Sequence, residues 1–213
     1  MVRANANHRH VPSKSTPRNP GGIPGQPLES GKVLLRFATH ADRDEYTALR
    51  AGSRESLERW EPLPQPGIDA FGPSDFDRLL GTSDTPDCKR LLIVERESGR
   101  IAGRVGLSGI ARGPLQQAYL GYWLGRSFEG KGLMLEAIAL ALRYAFTPEA
   151  NGGLGLHRIE CNVMPSNARS LATARRAGFR EEGYSPKYLQ IAGTWEDHVR
   201  FAMTIEDWAP KHP

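Results

Sequence analysis

The stretch from Gln117 to Ala145, QAYLGYWLGRSFEGKGLMLEAIALALRYA, decides the fold of this chain. Its first residues, as far as Gly125, alternate in the period of two that is typical of a strand. The segment SFEGKG, residues 127–132, breaks this alternation with two glycines. From Leu133 onward apolar residues recur every three or four positions, which predicts an amphipathic helix. The stretch therefore predicts a strand, a glycine loop and a helix in succession.

The loop between this strand and this helix has the chemistry of a phosphate site. Gly130 and Gly132 allow a close backbone turn, after which the first N–H groups of the helix point at one spot with the positive end of the helix dipole behind them. The same glycines also suit a tight turn that binds nothing. Neither a P-loop nor a dinucleotide loop fits, because Lys131 lies between the glycines and Leu135 stands where a third glycine is needed.

A second unit of the same kind follows the first helix. Residues 157–163, HRIECNV, predict a strand, and Ser166 or Asn167 caps a helix that begins just after it. Gly178 is well suited to end this helix. Further strands are predicted at residues 33–38, 90–95, 100–110, 188–191 and 195–204.

Together these units resemble the GNAT superfamily of acyl-CoA-dependent N-acetyltransferases. The segments GYW, GKGLM, HRIE, PSNARS, AGFREEG and the closing WEDH are similar to the RimJ/RimL type, which acetylates protein N-termini. The resemblance extends from Val33 to Trp208. It implies an α/β (α+β) fold, with a mixed, mainly antiparallel sheet flanked by helices.

The resemblance also implies acetyl-CoA as the cosubstrate. In this family the strand before the glycine loop separates from its neighbour, and its backbone pairs with the pantetheine arm. The residues implied for the arm are Tyr122, Trp123 and Leu124, although the two aromatic residues also suit core packing. The residues implied for the pyrophosphate are Glu129, Gly130, Lys131, Gly132, Leu133 and Met134. Asn167 matches an asparagine that hydrogen-bonds the CoA arm in this family, with a plain helix N-cap as the alternative.

The residues implied for catalysis follow the same resemblance. Many GNAT enzymes have a tyrosine seven residues after that asparagine as proton donor, and here Ala174 replaces it. RimJ/RimL-type relatives are proposed to use a serine three residues after it, which implies Ser170 as the donor or as a further contact of the CoA arm. Glu160 and Asn162 lie on one face of their strand, where either could order a water beside the amine, and Glu160 could equally pair with an arginine. A strong base is not obligatory, because α-amines have pKa values of ~7.7–8.0.

The acceptor is expected near Trp60-Glu61-Pro62, which is similar to a W-x-P element of RimJ/RimL-type enzymes. Glu61 would attract a substrate ammonium group, unless it is an ordinary solvated loop residue. Tyr188 and Trp195, from the last hairpin, would form the opposite wall.

The closing WEDH segment holds two further titratable side chains. Asp197 and His198 are expected to form a hydrogen-bonded pair that braces the last hairpin. Histidine is the side chain whose charge changes nearest to neutral pH, which leaves a role in proton transfer open.

The composition is that of one domain with a tail. The chain has 213 residues, a net charge of +4 and two cysteines, Cys88 and Cys161. Residues 1–30 are rich in Pro, Gly, Asn and Ser and basic, so we expect a disordered tail before an acetyltransferase domain at 31–213. No apolar run approaches the ~18 residues that span a bilayer, and no secretory signal is recognised. These features favour a reduced, cytoplasmic compartment, and two cysteines cannot build a metal site.

The expected partners are acetyl-CoA and a protein N-terminus such as that of a ribosomal protein, with the chain as a monomer or homodimer. Direct nucleic-acid binding is not expected, because the domain has no basic stripe. Three functions stay open. The resemblance and the Pro-rich acceptor loop favour an N-terminal protein acetyltransferase. The alternatives are an acetyltransferase of a small amine (an antibiotic, polyamine or amino acid) and a non-catalytic CoA-binding or ribosome-assembly module, which the missing tyrosine keeps open.

Overall fold

The computed structural model of the protein describes residues 26–208. The strands are β1 (Leu28–Glu29), β2 (Val33–Arg36), β3 (Asp84–Thr85), β4 (Cys88–Glu95), β5 (Ile101–Ala111), β6 (Gln117–Leu124), β7 (Arg158–Val163), β8 (Arg180–Ile191) and β9 (Thr194–Thr204). The helices are α1 (Arg43–Gly52), α2 (Arg54–Leu57), α3 (Pro73–Thr82), α4 (Leu133–Phe146), α5 (Ala168–Arg176) and α6 (Ile205–Trp208). No helix within 26–208 is both long and apolar enough to cross a bilayer.

These strands form one mixed sheet. Its order is β1-β2-β4-β5-β6-β7-β9-β8, with β3 added to the edge of β4. Every pair is antiparallel except β6 with β7, which a helical crossover through α4 connects. The expected α+β fold with a mainly antiparallel sheet is therefore confirmed.

The two faces of the sheet bury different helices. On one face α4 packs through Ala137, Ile138 and Ala141, which are almost fully buried in the larger core cluster. On the other face Tyr46 of α1 and Phe76 of α3 pack against the sheet in a second cluster. The helical spacing of apolar residues after Leu133 thus reports the buried face of α4, as its sequence predicts.

The parallel pair β6–β7 comes apart halfway along. Its paired residues are Gln117 with Arg158, Ala118 with Ile159, and Tyr119 with Glu160, and no pair follows, although both strands continue. The strand before the glycine loop therefore separates from its neighbour, as the resemblance implies. The gap leaves backbone N–H and C=O groups of both strands without a strand partner on the side where they face each other.

The boundary expected between tail and domain needs correction. Residues 1–25 lie outside the described residues, so their disorder stays a prediction. Leu28 and Glu29 pair with β2, and Leu28 is only 3% exposed in the main core. Ser30 donates a hydrogen bond from its hydroxyl to Glu136 of α4 at 2.6 Å. The domain thus begins before residue 31, because a leucine in this segment finds an apolar site on the sheet.

The last hairpin is longer than its sequence suggests. The predicted first strand covers residues 188–191, whereas β8 begins at Arg180. Its pairing with β9 shifts register between Glu181 and Gly183 and again between Ser185 and Leu189. These irregularities interrupt the alternation of side chains by which a strand is recognised in a sequence.

Candidate active site

A cavity of about 450 Å³ lies where β6 and β7 separate. One wall is the segment 60–64, which follows α2 and contains Trp60 and Glu61. The floor is the face of β4, β5 and β6 that includes Gly106 and Gly121, where the absence of side chains leaves room. The opposite wall is formed by the following residues of β7 and the start of α5: Cys161, Asn162, Asn167 and Ser170. The expected acceptor element and several expected CoA contacts are thus brought to one place.

The glycine loop next to this cavity has the geometry of an anion site. Gly130 and Gly132 have φ values of 76° and 83°, a backbone region that favours glycine, and Gly132 is the N-cap of the fourteen-residue α4. Within residues 26–208, the N–H groups of Gly130, Lys131 and Gly132 have no hydrogen-bond acceptor. Together with the first N–H groups of α4, they form a set of donors suited to a pyrophosphate.

The side chains of this loop are engaged elsewhere. Lys131 Nζ lies 2.9 Å from Glu95 Oε1, and Glu129 pairs with Arg169 of α5. Leu133 is 1% exposed in the core, and Met134 packs partly buried against the same cluster. The expected contribution of this loop to phosphate binding therefore rests on its backbone, and the individual assignments of these side chains stay predictions.

Asn167 and Ser170 are held by a local hydrogen-bond network at the start of α5. Asn167 Oδ1 accepts from the Ser170 N–H at 3.0 Å, so Asn167 is the N-cap and its amide nitrogen stays available. The Ser170 hydroxyl lies 2.9 Å from the hydroxyl of Tyr122 on β6. Burial raises the pKa of Tyr122, so this phenol keeps its proton near neutral pH. The expected proton donor thus has a second hydroxyl behind it, which sequence reasoning did not foresee.

Trp123 and Leu124 contact the core more than the expected arm of CoA. Trp123 is 7% exposed and stacks near Tyr46, with ring centroids 5.9 Å apart, although it also lines the cavity. Its Nε1 has no hydrogen-bond partner within the described part of the chain. Leu124 is packed against the core and lies outside the cavity lining. Of the two aromatic residues, Trp123 therefore takes the core-packing role that the sequence left open.

Glu160 is placed as a structural carboxylate. It is 6% exposed, and its two oxygens accept from Arg158 Nε at 3.0 Å and from Arg200 Nη2 at 2.6 Å. It is not part of the cavity lining, which argues against its expected role as a base. Asn162, two residues further along β7, does line the cavity, and its Oδ1 has no partner within residues 26–208. Asn162 is therefore the better placed of the two for ordering a water or an amine.

Glu61 lines the cavity, but its charge is already compensated. Both of its carboxylate oxygens accept from Arg50, at 2.8 and 2.7 Å. Arg50 is 1% exposed, and its guanidinium lies over the rings of Phe71 and Trp123, 4.4 and 4.9 Å from their centroids. The carboxylate is thus neither a solvated loop group nor a free site for a substrate ammonium group, because a buried arginine holds it.

Tyr188 and Trp195 do not form the opposite wall directly. Tyr188 packs its ring 5.8 Å from the ring of His198, and His198, not Tyr188, lines the cavity. Trp195 is 59% exposed near the turn of the hairpin, outside the cavity lining. It can therefore contact only a part of an acceptor that extends out of the cavity.

Asp197 and His198 do not form the expected pair. Adjacent strand residues point to opposite faces, so the two side chains diverge. Asp197 accepts from the Tyr184 hydroxyl at 2.5 Å and the Lys187 N–H at 2.7 Å, and in this way braces the hairpin by itself. His198 is 3% exposed, and its Nδ1 lies 3.0 Å from the carbonyl oxygen of Glu196. With the proton on Nδ1, Nε2 is left as an acceptor.

Three arginines of the cavity lining were missed by sequence reasoning: Arg78, Arg90 and Arg104. The signal available in the sequence was the position of Arg104 at every second place among small and apolar residues of β5, on the face that carries the floor. No motif marks such residues, since their meeting depends on how the strands pair.

Acetyl-CoA, which the fold implies, fits this arrangement. The separated strands offer unpaired backbone groups for an extended arm, and the glycine loop offers unpaired N–H donors for phosphate. Among the residues that the structure describes, no group of three or more His, Cys, Asp or Glu side chains could hold a metal ion.

Comparison with known proteins defines the class. The family model described as "Acetyltransferase (GNAT) domain" matches residues 32–180. The chain therefore belongs to the GNAT acetyltransferase family, and it is an enzyme of the N-acetyltransferase class.

Its relatives point to one branch of that family. The chain is 32% identical over 192 residues to the [ribosomal protein uS5]-alanine N-acetyltransferase of Escherichia coli, which covers 88% of this chain and 95% of that protein. The solved structure of Mycobacterium smegmatis RimJ in complex with CoA-disulfide is 30% identical, with a TM-score of 0.74 over 85% of this chain and 87% of that one. The ribosomal-protein-S5-alanine acetyltransferase of Vibrio fischeri is 29% identical, with a TM-score of 0.73 over 86% and 98%. The chain is thus an N-acetyltransferase of the RimJ/RimL type.

Proposed function

We propose that this enzyme transfers the acetyl group of acetyl-CoA to the N-terminal α-amine of a protein, such as a ribosomal protein, by direct attack in a ternary complex. The observation that carries this proposal is the single cavity that joins the acceptor segment 60–64 to the separated strands and the start of α5. The similarity to acetyltransferases of ribosomal protein uS5 supports the choice of acceptor. A ribosomal-protein acceptor would place the enzyme in the cytoplasm.

The first task of the site is to position the two reactants. The arm of acetyl-CoA lies between β6 and β7, and a backbone N–H of β6 polarises the thioester oxygen, which stabilises the charge that develops there. The neutral amine attacks the thioester carbon as the C–S bond breaks. Holding both groups in place removes much of the entropy cost of a bimolecular reaction.

The second task is the movement of protons. Ser170 donates a proton to the departing thiolate, and the Tyr122 hydroxyl at 2.9 Å donates in turn to Ser170. His198 accepts the proton that the amine releases, through Nε2 and either directly or through a water that Asn162 orders. This assignment replaces Glu160 as the base, because Glu160 is occupied by two arginines.

A polyamine acceptor is disfavoured by the charge of the cavity. Three arginines line it, and its one carboxylate, Glu61, is paired with Arg50. A polycation would meet net repulsion there. The remaining small-amine candidates and a non-catalytic role are separated from the proposed function by assay.

The assay measures thiol release from acetyl-CoA with peptides that begin with alanine or serine, compared with the same peptides carrying a blocked N-terminus and with spermidine and free amino acids. We expect turnover only with the free α-amine of the peptides, located by mass spectrometry on the first residue. Turnover of a small amine with none of the peptides would contradict the proposal, and so would tight CoA binding without any turnover.

A further inference from the structure

The charges of the cavity are unbalanced. Its charged lining residues are Glu61, Arg78, Arg90 and Arg104. Glu61 is neutralised by Arg50, and Arg78 is bound to Asp75 at 2.6 Å. This leaves Arg90 and Arg104, neither of which has a carboxylate within 4.0 Å among residues 26–208.

These two arginines lie next to each other on the cavity floor. The register of β4 and β5 makes them diagonal neighbours on the same face, with an expected Cβ separation of ~7–8 Å. Arg90 donates from Nη1 to the hydroxyl of Thr82 at 2.8 Å, and Arg104 donates from Nη1 to the hydroxyl of Tyr46 at 3.3 Å. These contacts fix the position of each guanidinium and leave its other N–H groups unused.

Two like charges in a partly enclosed site repel each other, so their placement costs free energy unless an anion binds between them. Guanidinium groups match carboxylate and phosphate in shape and bind them through paired hydrogen bonds. The phosphates of CoA are not that anion, because the loop at residues 130–132 lies outside the cavity lining. The anion must then belong to the acceptor.

We infer that Arg90 and Arg104 select an acceptor that carries a carboxylate close to its reacting amine. This inference rests on the proposed function, and for a protein N-terminus it means an acidic side chain within the first few residues after the acetylated one. The acidic side chain lies on the cavity floor while the α-amine faces the junction of β6, β7 and α5. An acceptor with lysine in those positions is repelled.

The test compares three peptides of equal length that begin Ala-Glu-Glu, Ala-Gln-Gln and Ala-Lys-Lys and are otherwise identical. For the full chain we expect kcat/KM to fall in that order, with about a tenfold advantage of the acidic peptide over the neutral one. In Arg90→Gln and Arg104→Gln the ratio of acidic to neutral falls towards one. Arg104→Lys keeps the charge and retains most of the ratio.

Arg43→Gln is the matched control, because Arg43 makes an exposed ion pair with Asp77 away from the cavity. It should leave the ratio as in the unaltered chain. Calorimetric affinity of the N-acetylated peptides for the CoA-bound enzyme gives a readout independent of turnover. Peptides that are acetylated without regard to charge, or a ratio that Arg104→Gln leaves unchanged, would overturn this inference alone. Failure of all peptides to bind or react would overturn the proposed function with it.

Discussion

The hydroxyl groups of Tyr122 and Ser170 form a short chain at the end of the cavity. Ser170 is fixed from two sides, by its N–H on Asn167 and by its hydroxyl on Tyr122. Because burial raises the pKa of Tyr122, the phenol does not ionise near neutral pH and serves as a hydrogen-bonding partner of Ser170. A serine supported in this way can release its own proton while it accepts another, which answers how proton donation is possible with Ala174 in place of a tyrosine.

Replacing Ser170 with alanine tests this assignment. General acid catalysis is typically worth ~10²–10⁴-fold, so we expect kcat to fall within that range while the affinity for acetyl-CoA, measured by calorimetry, changes little. Thr173→Ala is the control, since Thr173 is an exposed hydroxyl that only donates to Arg169 one turn earlier. A rise in KM for acetyl-CoA at unchanged kcat would instead assign Ser170 to binding of the CoA arm.

The glycine loop makes a second prediction at the scale of one residue. Gly130→Ala should weaken acetyl-CoA binding by at least about tenfold, because φ = 76° is unfavourable for any residue with a Cβ and the loop would lose its N–H geometry. Space is not the reason, since a Cβ at Gly130 would have no protein atom within 4 Å.

Gly113→Ala is a control of the same conformation. Gly113 has φ = 66° and equally open surroundings, but it lies in the turn between β5 and β6. Both variants should lose similar thermal stability, and only the first should lose affinity. Equal affinity of the two variants for acetyl-CoA would remove the loop from the binding site.

At the scale of elements, β7, β8 and β9 are joined by a ladder of charges. Glu160 lies between Arg158 and Arg200, and Arg158 continues to Glu182 on β8, which also pairs with Arg180. These groups hold the irregular β8 against the rest of the sheet where its register shifts. The ladder is therefore a device of folding rather than of catalysis.

Glu160→Gln should consequently destabilise the protein rather than abolish its chemistry. Removing one member of a buried ion network leaves the arginines partly unpaired, which we expect to cost about 2 kcal/mol and to lower Tm by roughly 4–8 °C. The acidic limb of the kcat/KM profile should remain. Loss of that limb with an unchanged Tm would restore Glu160 as the base.

The same ladder gives a dependence on acid. The hydrogen bond from Arg158 lowers the pKa of Glu182 to about 2 from its ordinary value of 4.5. A carboxylate with a depressed folded pKa stabilises the protein fully above about pH 4.5, and this contribution is lost as the pH falls towards 2. Glu182→Gln should therefore lower Tm at pH 7, and the difference from the unaltered chain should shrink between pH 4.5 and 2. A difference independent of pH would show that the charge is not the cause.

The first strand makes a prediction about where the domain begins. A chain that starts at Gln26 should keep its Tm, whereas one that starts at Lys32 loses the buried Leu28 and the contact of Ser30 with Glu136. Burying a leucine is worth ~1.5–3 kcal/mol, so the shorter chain should melt at a lower temperature and bind acetyl-CoA less well, because Glu136 lies in the first turn of α4. Equal behaviour of both chains would mean that β1 contributes nothing.

For the whole molecule, sequence patterns predicted what local spacing determines. The apolar period of α4, the cap at Asn167 and the glycines of the loop each depend on residues within one or two turns, and each is where the sequence places it. The carboxylates were another matter. Glu61 and Glu160 acquire their arginine partners from segments eleven to forty residues away, so their charges are compensated by contacts that no local pattern reveals. The cavity arginines were missed for the same reason, because strand pairing alone brings them together.

The interrupted pairing of β6 and β7 has a consequence for the lifetime of the protein. The sheet is finished only when something extended fills the gap, so a molecule that does so binds the folded chain and not the unfolded one. At a concentration one hundred times its Kd, such a ligand adds about 2.7 kcal/mol to the free energy of unfolding. The abundance of this enzyme in a cell is thereby coupled to the supply of its own acyl donor: starvation for that donor exposes the chain to proteolysis, and plenty protects it.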